Sequence, residues 1–358
     1  ASHNPPNYNG FKISRRGGRP VGSGSGLEEI RRLAALVDRA KQQSRGGREE
    51  SRNLWQPYRE HLLRFMSPSL LEGTRDLKVV VDASNGMAGT MVPEVFSAVK
   101  GLQISRLNFD NESGEFAHEP NPLVEANLAQ VREAVVKRKA AIGFCFDGDA
   151  DRCMVVDERG EPVGCDLILA WLVSRFLERS PGAPVVYDLR SSRVVREAIE
   201  EAGGRPVEER VGHVFMKARM AAEQAVVGGE LSGHFYFRDT FNADNGARMF
   251  VEVVSALAES RKPLSKLIAP FRRYAHSGEI NFRNDEPAEA LAALRKAFPK
   301  AKVAELDGLS LDAGDWWCNV RTSNTEPLLR LNLEAKDRKT LDAQFERLAP
   351  MLGERVDH

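Results

Sequence analysis

The sequence predicts a multidomain α/β protein with mixed, mainly parallel sheets and a C-terminal α+β domain. Two observations carry this. Through the middle of the chain, short Val/Ile-rich runs alternate with stretches of helical period, the rhythm of βα units and parallel sheets. After about residue 275 the order changes to a strand, a helix, several closely spaced strands and a last helix. The 358 residues suffice for two to four domains of about 100 to 150 residues each.

Residues 1–26 are rich in Gly, Pro, Ser and Asn and read as loop with one short strand, GFKIS. An amphipathic helix is expected over about 27–43, then the polar linker QQSRGGREESRN and a second helix, LWQPYREHLLRFM. LKVVVDAS at 77–84 reads as a buried strand running into Asn85-Gly86 and a helix, and AAIGFCF as a strand preceded by a long helix at 123–139. APVVYDL at 183–189 leads into the helix SSRVVREAIEEAG, and RPVEERV into a helix after His213. The expected division is therefore a segment 1–54, α/β domains at 55–162 and 163–268, and a tail domain at 275–358 that closes with a helix over 337–353.

Composition narrows the function classes. Basic and acidic residues balance at 51 each, so no global field attracts nucleic acid or a membrane surface, and neither partner is expected. Any anion site must be built locally. Cys145, Cys153, Cys165 and Cys318 show no C-x-x-C pairing and read as reduced core residues of a cytoplasmic protein. The longest apolar run, near LILAWLV, is far short of a bilayer span, and the opening residues do not read as a signal peptide, so none is expected.

The stretch AIGFCFDGDADRCMVV sets Asp147, Asp149 and Asp151 at alternate positions between two apolar runs. In an extended segment three like charges on one side repel unless a cation neutralises them. An all-oxygen set of three carboxylates, leaving positions for water or a phosphoryl oxygen, suits Mg²⁺ better than Ca²⁺. An EF-hand is excluded: Arg152 stands where its loop needs Gly, CMVVD reads as a strand, and AAIGFCF is strand-like where a helix is required. A solvated acidic turn between strands would give the same letters.

Four further groups are weak singly. Ser2 and His3 in ASHNPPNYNGFKI stand in a Gly/Asn/Pro-rich loop, which alone is an ordinary turn signal. In GGELSGH, Glu230, Ser232 and His234 offer a carboxylate, a hydroxyl and an imidazole suited to a hydroxyl-rich ligand, or simply a strand ending in a turn. In RTSNTEP, Arg321, Ser323, Asn324 and Thr325 form a phosphate cradle or a polar β-turn. Arg190 follows a strand end, and His213 with Lys217 lies at i and i+4 on a helix.

Taken in order, Ser-His-Asn-Pro, Asp-Gly-Asp-x-Asp-Arg, Gly-Glu-x-Ser-Gly-His and Arg-x-Ser-Asn-Thr-Glu-Pro resemble the α-D-phosphohexomutase superfamily, specifically its bacterial phosphomannomutase/phosphoglucomutase branch. The resemblance implies an isomerase with four domains around a cleft, moving a phosphoryl group between O1 and O6 of a hexose phosphate through a phosphoserine and a 1,6-bisphosphate. It implies Ser2 as the phosphoserine and a metal ligand, His3 and Lys12 as neighbouring catalytic residues, Asp147, Asp149 and Asp151 as Mg²⁺ ligands, and Arg152 as a cleft arginine. Glu230, Ser232 and His234 match its sugar loop, and Arg190, Gly212 and His213 other substrate positions, with Arg190 where some relatives have Lys. Arg321, Ser323, Asn324 and Thr325 match its phosphate loop. Mg²⁺ and glucose or mannose 1,6-bisphosphate are the implied cofactors, and a monomer or homodimer the implied assembly.

The match departs in two places. The family carries Thr before Ala-Ser-His and about a hundred residues ahead of it, so the chain is expected to lack the first part of domain 1. Leu231 and Asn324 stand where glucosamine-phosphate relatives tend to carry Gln and Gly, favouring mannose or glucose phosphates. The expectations of another class are a non-catalytic sugar-phosphate or Ca²⁺ binder, against which the presence of a nucleophile and a metal triad speaks, and an Asp-nucleophile phosphatase, whose pattern fails at Asp151.

Overall fold

The computed structural model describes residues 10–22, 24–37, 48–323 and 327–356. The chain divides into two compact units, Ala1–Val163 with Ser232–Leu264, and Gly164–Leu231 with Ser265–His358.

The first unit is built on a five-stranded sheet in the order Leu102–Leu107, Leu77–Asp82, Ile142–Phe146, Cys153–Asp157, Pro162–Val163. The first three strands are parallel and the last two antiparallel. Ile142–Phe146 is wholly buried, because helices cover both faces, and this is why its sequence is a continuous apolar run. On one face the helix Ala129–Arg138 packs Val131 and Val135 against Val80, Cys145 and Val156. Phe250, from the helix Gly246–Ser260, meets the rings of Phe144 and Phe96 at 4.6 and 4.7 Å.

The long helix expected at 123–139 forms as a short 3-10 turn, Glu125–Leu128, followed by Ala129–Arg138. The first helix runs over Leu27–Ala35, and the remainder of its expected span from 38 onward lies outside the described residues. GFKIS is not the strand expected. Gly17 and Gly18, both with positive φ, turn the chain so tightly that only Ser14–Arg15 pairs with Arg19–Pro20.

In the second unit Val227–Gly229, Pro184–Asp188 and Arg205–Glu209 lie side by side and parallel. Their crossovers are the helices Arg193–Glu201 and His213–Glu223, preceded by Cys165–Arg179. The tail forms a six-stranded antiparallel sheet in the order Lys302–Ala304, Leu309–Asp312, Trp316–Thr322, Leu328–Ala335, Ala275–Arg283, Glu354–Val356. Helices Pro287–Ala297 and Arg338–Leu352 cover one face, closing a core that includes Phe282, Leu294, Leu331, Leu333 and Leu348. The register of Ala275–Arg283 on Leu328–Ala335 shifts by one residue between His276 and Glu279, a β-bulge of the kind that re-aims side chains.

Candidate active site

The aspartate loop joins two antiparallel strands, Ile142–Phe146 and Cys153–Asp157. It is a turn rather than the extended segment expected, with Ala150 at φ 61°, a conformation uncommon outside Gly. Turning therefore brings the carboxylates together: oxygens of Asp147, Asp149 and Asp151 all lie within 4.8 Å of one another. Two glycines hold this turn by letting backbone approach. A Cβ on Gly86 would stand 2.5 Å from the carbonyl oxygen of Gly148, and one on Gly246 2.7 Å from that of Ala150.

Asp147 is fully buried and receives the Arg152 backbone N–H at 3.2 Å and its Nε at 2.8 Å. Burial and then the Asp151 charge push the Asp147 carboxyl well above its ordinary range, which Arg152 only partly offsets. Lys12 reaches in from the N-terminal segment and donates to Asp149 Oδ2 at 2.8 Å and to Asp151 Oδ2. Burial works against charge on Lys12 and Asp149 alike. Asp151 and Asp149 outweigh it and raise the Lys12 pKa, while Lys12 holds Asp149 below the usual carboxylate range.

Asp151 Oδ1 is buried and, among the described residues, accepts no hydrogen bond; His234 Nε2 lies 3.5 Å and Arg152 Nε 3.8 Å from it. Ser232 Oγ shares a hydrogen bond of 3.0 Å with His234 Nδ1, and His234 bridges the backbone of Arg152. The first unit thus brings together Lys12, Asp147, Asp149, Asp151, Arg152, Ser232 and His234. Asp244 also lies within ligand distance of Asp151 and His234, a neighbour with no sequence signal. Three clustered carboxylates, an orphaned buried oxygen and a lysine ammonium drawn between two of them are what a hard divalent cation would satisfy.

The second unit gathers another set. Arg190 stands just beyond the carboxyl end of Pro184–Asp188, where open α/β sheets present ligand groups. Its backbone N–H and Nη2 both donate to the fully buried Asp188 at 2.8 Å. Asp188 also accepts the Leu231 N–H at 2.7 Å, and Glu230 accepts the Gly212 N–H at 2.7 Å just before His213 opens its helix. Gly212, at φ 126°, turns the chain there.

Glu279, which sequence reasoning missed, is the hub of this set. Its Oε2 accepts from Arg321 Nη2 at 2.7 Å and lies 3.6 Å from Arg190 Nη1, while its Oε1 lies 3.5 Å from Arg330 Nη1. Arg330 also donates to Ser323 Oγ at 3.3 Å. Asp188 and Arg330 were missed as well, and nothing in their sequence context distinguishes them from ordinary strand residues. Ser2, His3, Asn324 and Thr325 lie outside the described residues.

Family models for the phosphoglucomutase/phosphomannomutase alpha/beta/alpha domain II, alpha/beta/alpha domain III and C-terminal domain match residues 56–160, 165–274 and 279–351. A phosphomannomutase of Escherichia coli K12 is 36% identical over 99% of this chain and 79% of its own length. The chain belongs to the phosphoglucomutase/phosphomannomutase family. It is a phosphohexomutase, an isomerase of the α-D-phosphohexomutase superfamily. A phosphomannomutase of Methanocaldococcus jannaschii is 35% identical over 99% of the chain and 78% of its own length. The crystal structure of a phosphoglucomutase/phosphomannomutase family protein from Burkholderia thailandensis superposes with a TM-score of 0.85 at 32% identity, covering 98% of this chain and 74% of that one. The expected multidomain α/β phosphohexomutase fold is borne out. Among the described residues, no helix of this phosphohexomutase is long and apolar enough to cross a membrane.

Proposed function

We propose that the protein interconverts the 1- and 6-phosphates of mannose or glucose through a phosphoserine at Ser2. The observation that carries this is the cluster in the first unit, where three carboxylates, Lys12 and His234 converge on a turn. The names of the relatives at 35–36% identity support mannose phosphate as a substrate.

In the forward direction the bond between phosphorus and Ser2 Oγ breaks as a bond to O6 of the 1-phosphosugar forms, and the O6 proton leaves to a neighbouring base. The bound 1,6-bisphosphate then turns over, Ser2 Oγ takes the phosphoryl group from O1, and the proton taken from O6 is returned to O1. Such transfers need little covalent chemistry from the protein and rest on positioning and electrostatics. Asp147, Asp149 and Asp151 would hold Mg²⁺ with Ser2; when bound, the ion offsets the nearly double negative charge of phosphoserine.

Lys12, kept charged by two carboxylates, serves as a donor to phosphoryl oxygen and not as a proton acceptor, which leaves that role to His3. Arg152 orients Asp147. Ser232 and His234 bind sugar hydroxyls, as does Glu230, with Gly212 and His213 shaping the neighbouring turn. Arg321, Ser323, Asn324 and Thr325, with Arg190, hold the phosphate that is not reacting. Glucose or mannose 1,6-bisphosphate serves as activator. The working segments are 1–54, 55–162, 163–268 and 275–358, in a cytoplasmic monomer or homodimer that binds neither nucleic acid nor membrane.

The test is steady-state kinetics with mannose, glucose and glucosamine 1-phosphates. Comparable kcat/KM for the first two and a much lower value for the third supports the reading, and preference for glucosamine 1-phosphate refutes it.

A further inference from the structure

Arg321 and Arg330 face each other directly across the strands Trp316–Thr322 and Leu328–Ala335. Like charges in that relation repel, so the pair needs an anion between them. Glu279 supplies it from the next strand, placed there by the bulge that shifts the register after His276. It satisfies the arginines unequally: Arg321 makes a 2.7 Å bond, whereas Arg330 and Arg190 stay at 3.5 and 3.6 Å. Arg321 Nε and Arg330 Nε are buried and, among the described residues, make no hydrogen bond. Arg190 has carboxylates of its own besides Glu279, in hydrogen-bonded Asp188 and in Glu230, whereas among the described residues Arg321 and Arg330 share Glu279. The arrangement holds its arginines ready without using up their donors.

We propose that Glu279 is a positioning residue that acts as a resident competitor for the substrate phosphate. It keeps Arg321, Arg330 and Arg190 converged while phosphate is away, and its charge weakens their hold on a bound phosphate so that a bisphosphate can leave this subsite and turn. The inference rests on the reading of the Arg321 loop as a phosphate site. Its sign differs from that of a merely structural ion pair. A prop, when removed, loosens the arginines and weakens phosphate binding; a competitor, when neutralised, strengthens it.

The experiment is calorimetric titration of the protein with inorganic phosphate and with mannose 1-phosphate, alongside kcat and KM, for wild type, Glu279→Gln and Glu279→Ser. Gln keeps the length and a hydrogen bond to Arg321 but removes the charge, and Ser leaves room for water at the guanidinium. A unit charge removed within several Å of a phosphate is expected to tighten inorganic phosphate at least about fivefold after allowance for screening. KM and kcat should fall together, because the phosphate is held more firmly than turnover requires.

Unchanged or weaker phosphate binding in a folded variant overturns the proposal, and so does failure of both variants to fold, which would make Glu279 a structural support. Arg321→Ala in the same titration separates the two levels. If that variant binds phosphate as wild type does, the assignment of the subsite fails, and with it the role given to Glu279. If it loses binding while the Glu279 variants show no gain, only the competitor role fails.

Discussion

Asp151→Asn separates a metal site from a structural acidic turn, because it moves two readouts in different directions. At the 4.8 Å limit within which their oxygens lie, two carboxylates repel by about 3.5 kcal/mol at an effective dielectric of about 20. Asp151 feels two such neighbours, offset by Lys12 and by Arg152 Nε at 3.8 Å. The isosteric amide relieves the repulsion and forfeits the attraction, so the metal-free protein should melt at or slightly above the wild-type temperature. Magnesium binding should suffer heavily. At a concentration of about 100 times Kd, bound Mg²⁺ stabilises the wild type by about 2.7 kcal/mol; a variant binding about 100-fold more weakly gains only about 0.4 kcal/mol. Calorimetric melting with EDTA and with Mg²⁺ reads both quantities. An unchanged Mg²⁺ shift in the variant would refute the assignment of the triad, and a large drop in the metal-free melting temperature would show that Asp151 serves the fold instead.

The remaining predictions follow from single contacts. Arg321→Ala should raise KM for a hexose 1-phosphate by about 10- to 100-fold with a smaller effect on kcat, the loss of one charge-assisted contact; an unchanged KM would remove Arg321 from substrate binding. Phe250→Ala deletes a fully buried ring between Phe96 and Phe144 and should destabilise the first unit by about 3–5 kcal/mol, read as a lowered urea midpoint. His118 donates toward the buried Asp82 at 3.1 Å, and that bond raises its pKa against the opposing effect of burial. A raised folded pKa gives stability that is complete below about 6.5 and is lost as pH rises through the folded value. His118→Gln should flatten the stability profile above that point, and an unchanged slope there would contradict the assignment.

The parts of the fold legible in the sequence are those where burial leaves a periodic or continuous trace. LKVVVDAS and APVVYDL are strands covered on both sides, and their apolar runs say so. Leu102–Leu107 is half exposed, carries Gln103, Ser105 and Arg106, and gave no such signal. The helix Cys165–Arg179 is buried over most of its surface, which weakens the amphipathic stripe that identifies a surface helix. The antiparallel pairing around the aspartate loop follows from its length, since a parallel return needs a crossover of a dozen residues or more.

At the site, the motif residues were legible because several chemically distinct groups stand close in sequence. Glu279 and Asp244 act through partners far away along the chain, and Asp188 ties its near neighbour Arg190 to the distant Leu231. A bulge such as the one at His276–Glu279 leaves no mark in a single sequence.

The most direct test of phosphoryl transfer through Ser2 is ³¹P NMR of mannose 1-phosphate incubated with the protein, Mg²⁺ and trace glucose 1,6-bisphosphate. Conversion of the 1-phosphate resonance to that of the 6-phosphate, abolished in Ser2→Ala, is the predicted result. Release of free phosphate without the 6-phosphate, or conversion that persists in Ser2→Ala, would contradict it.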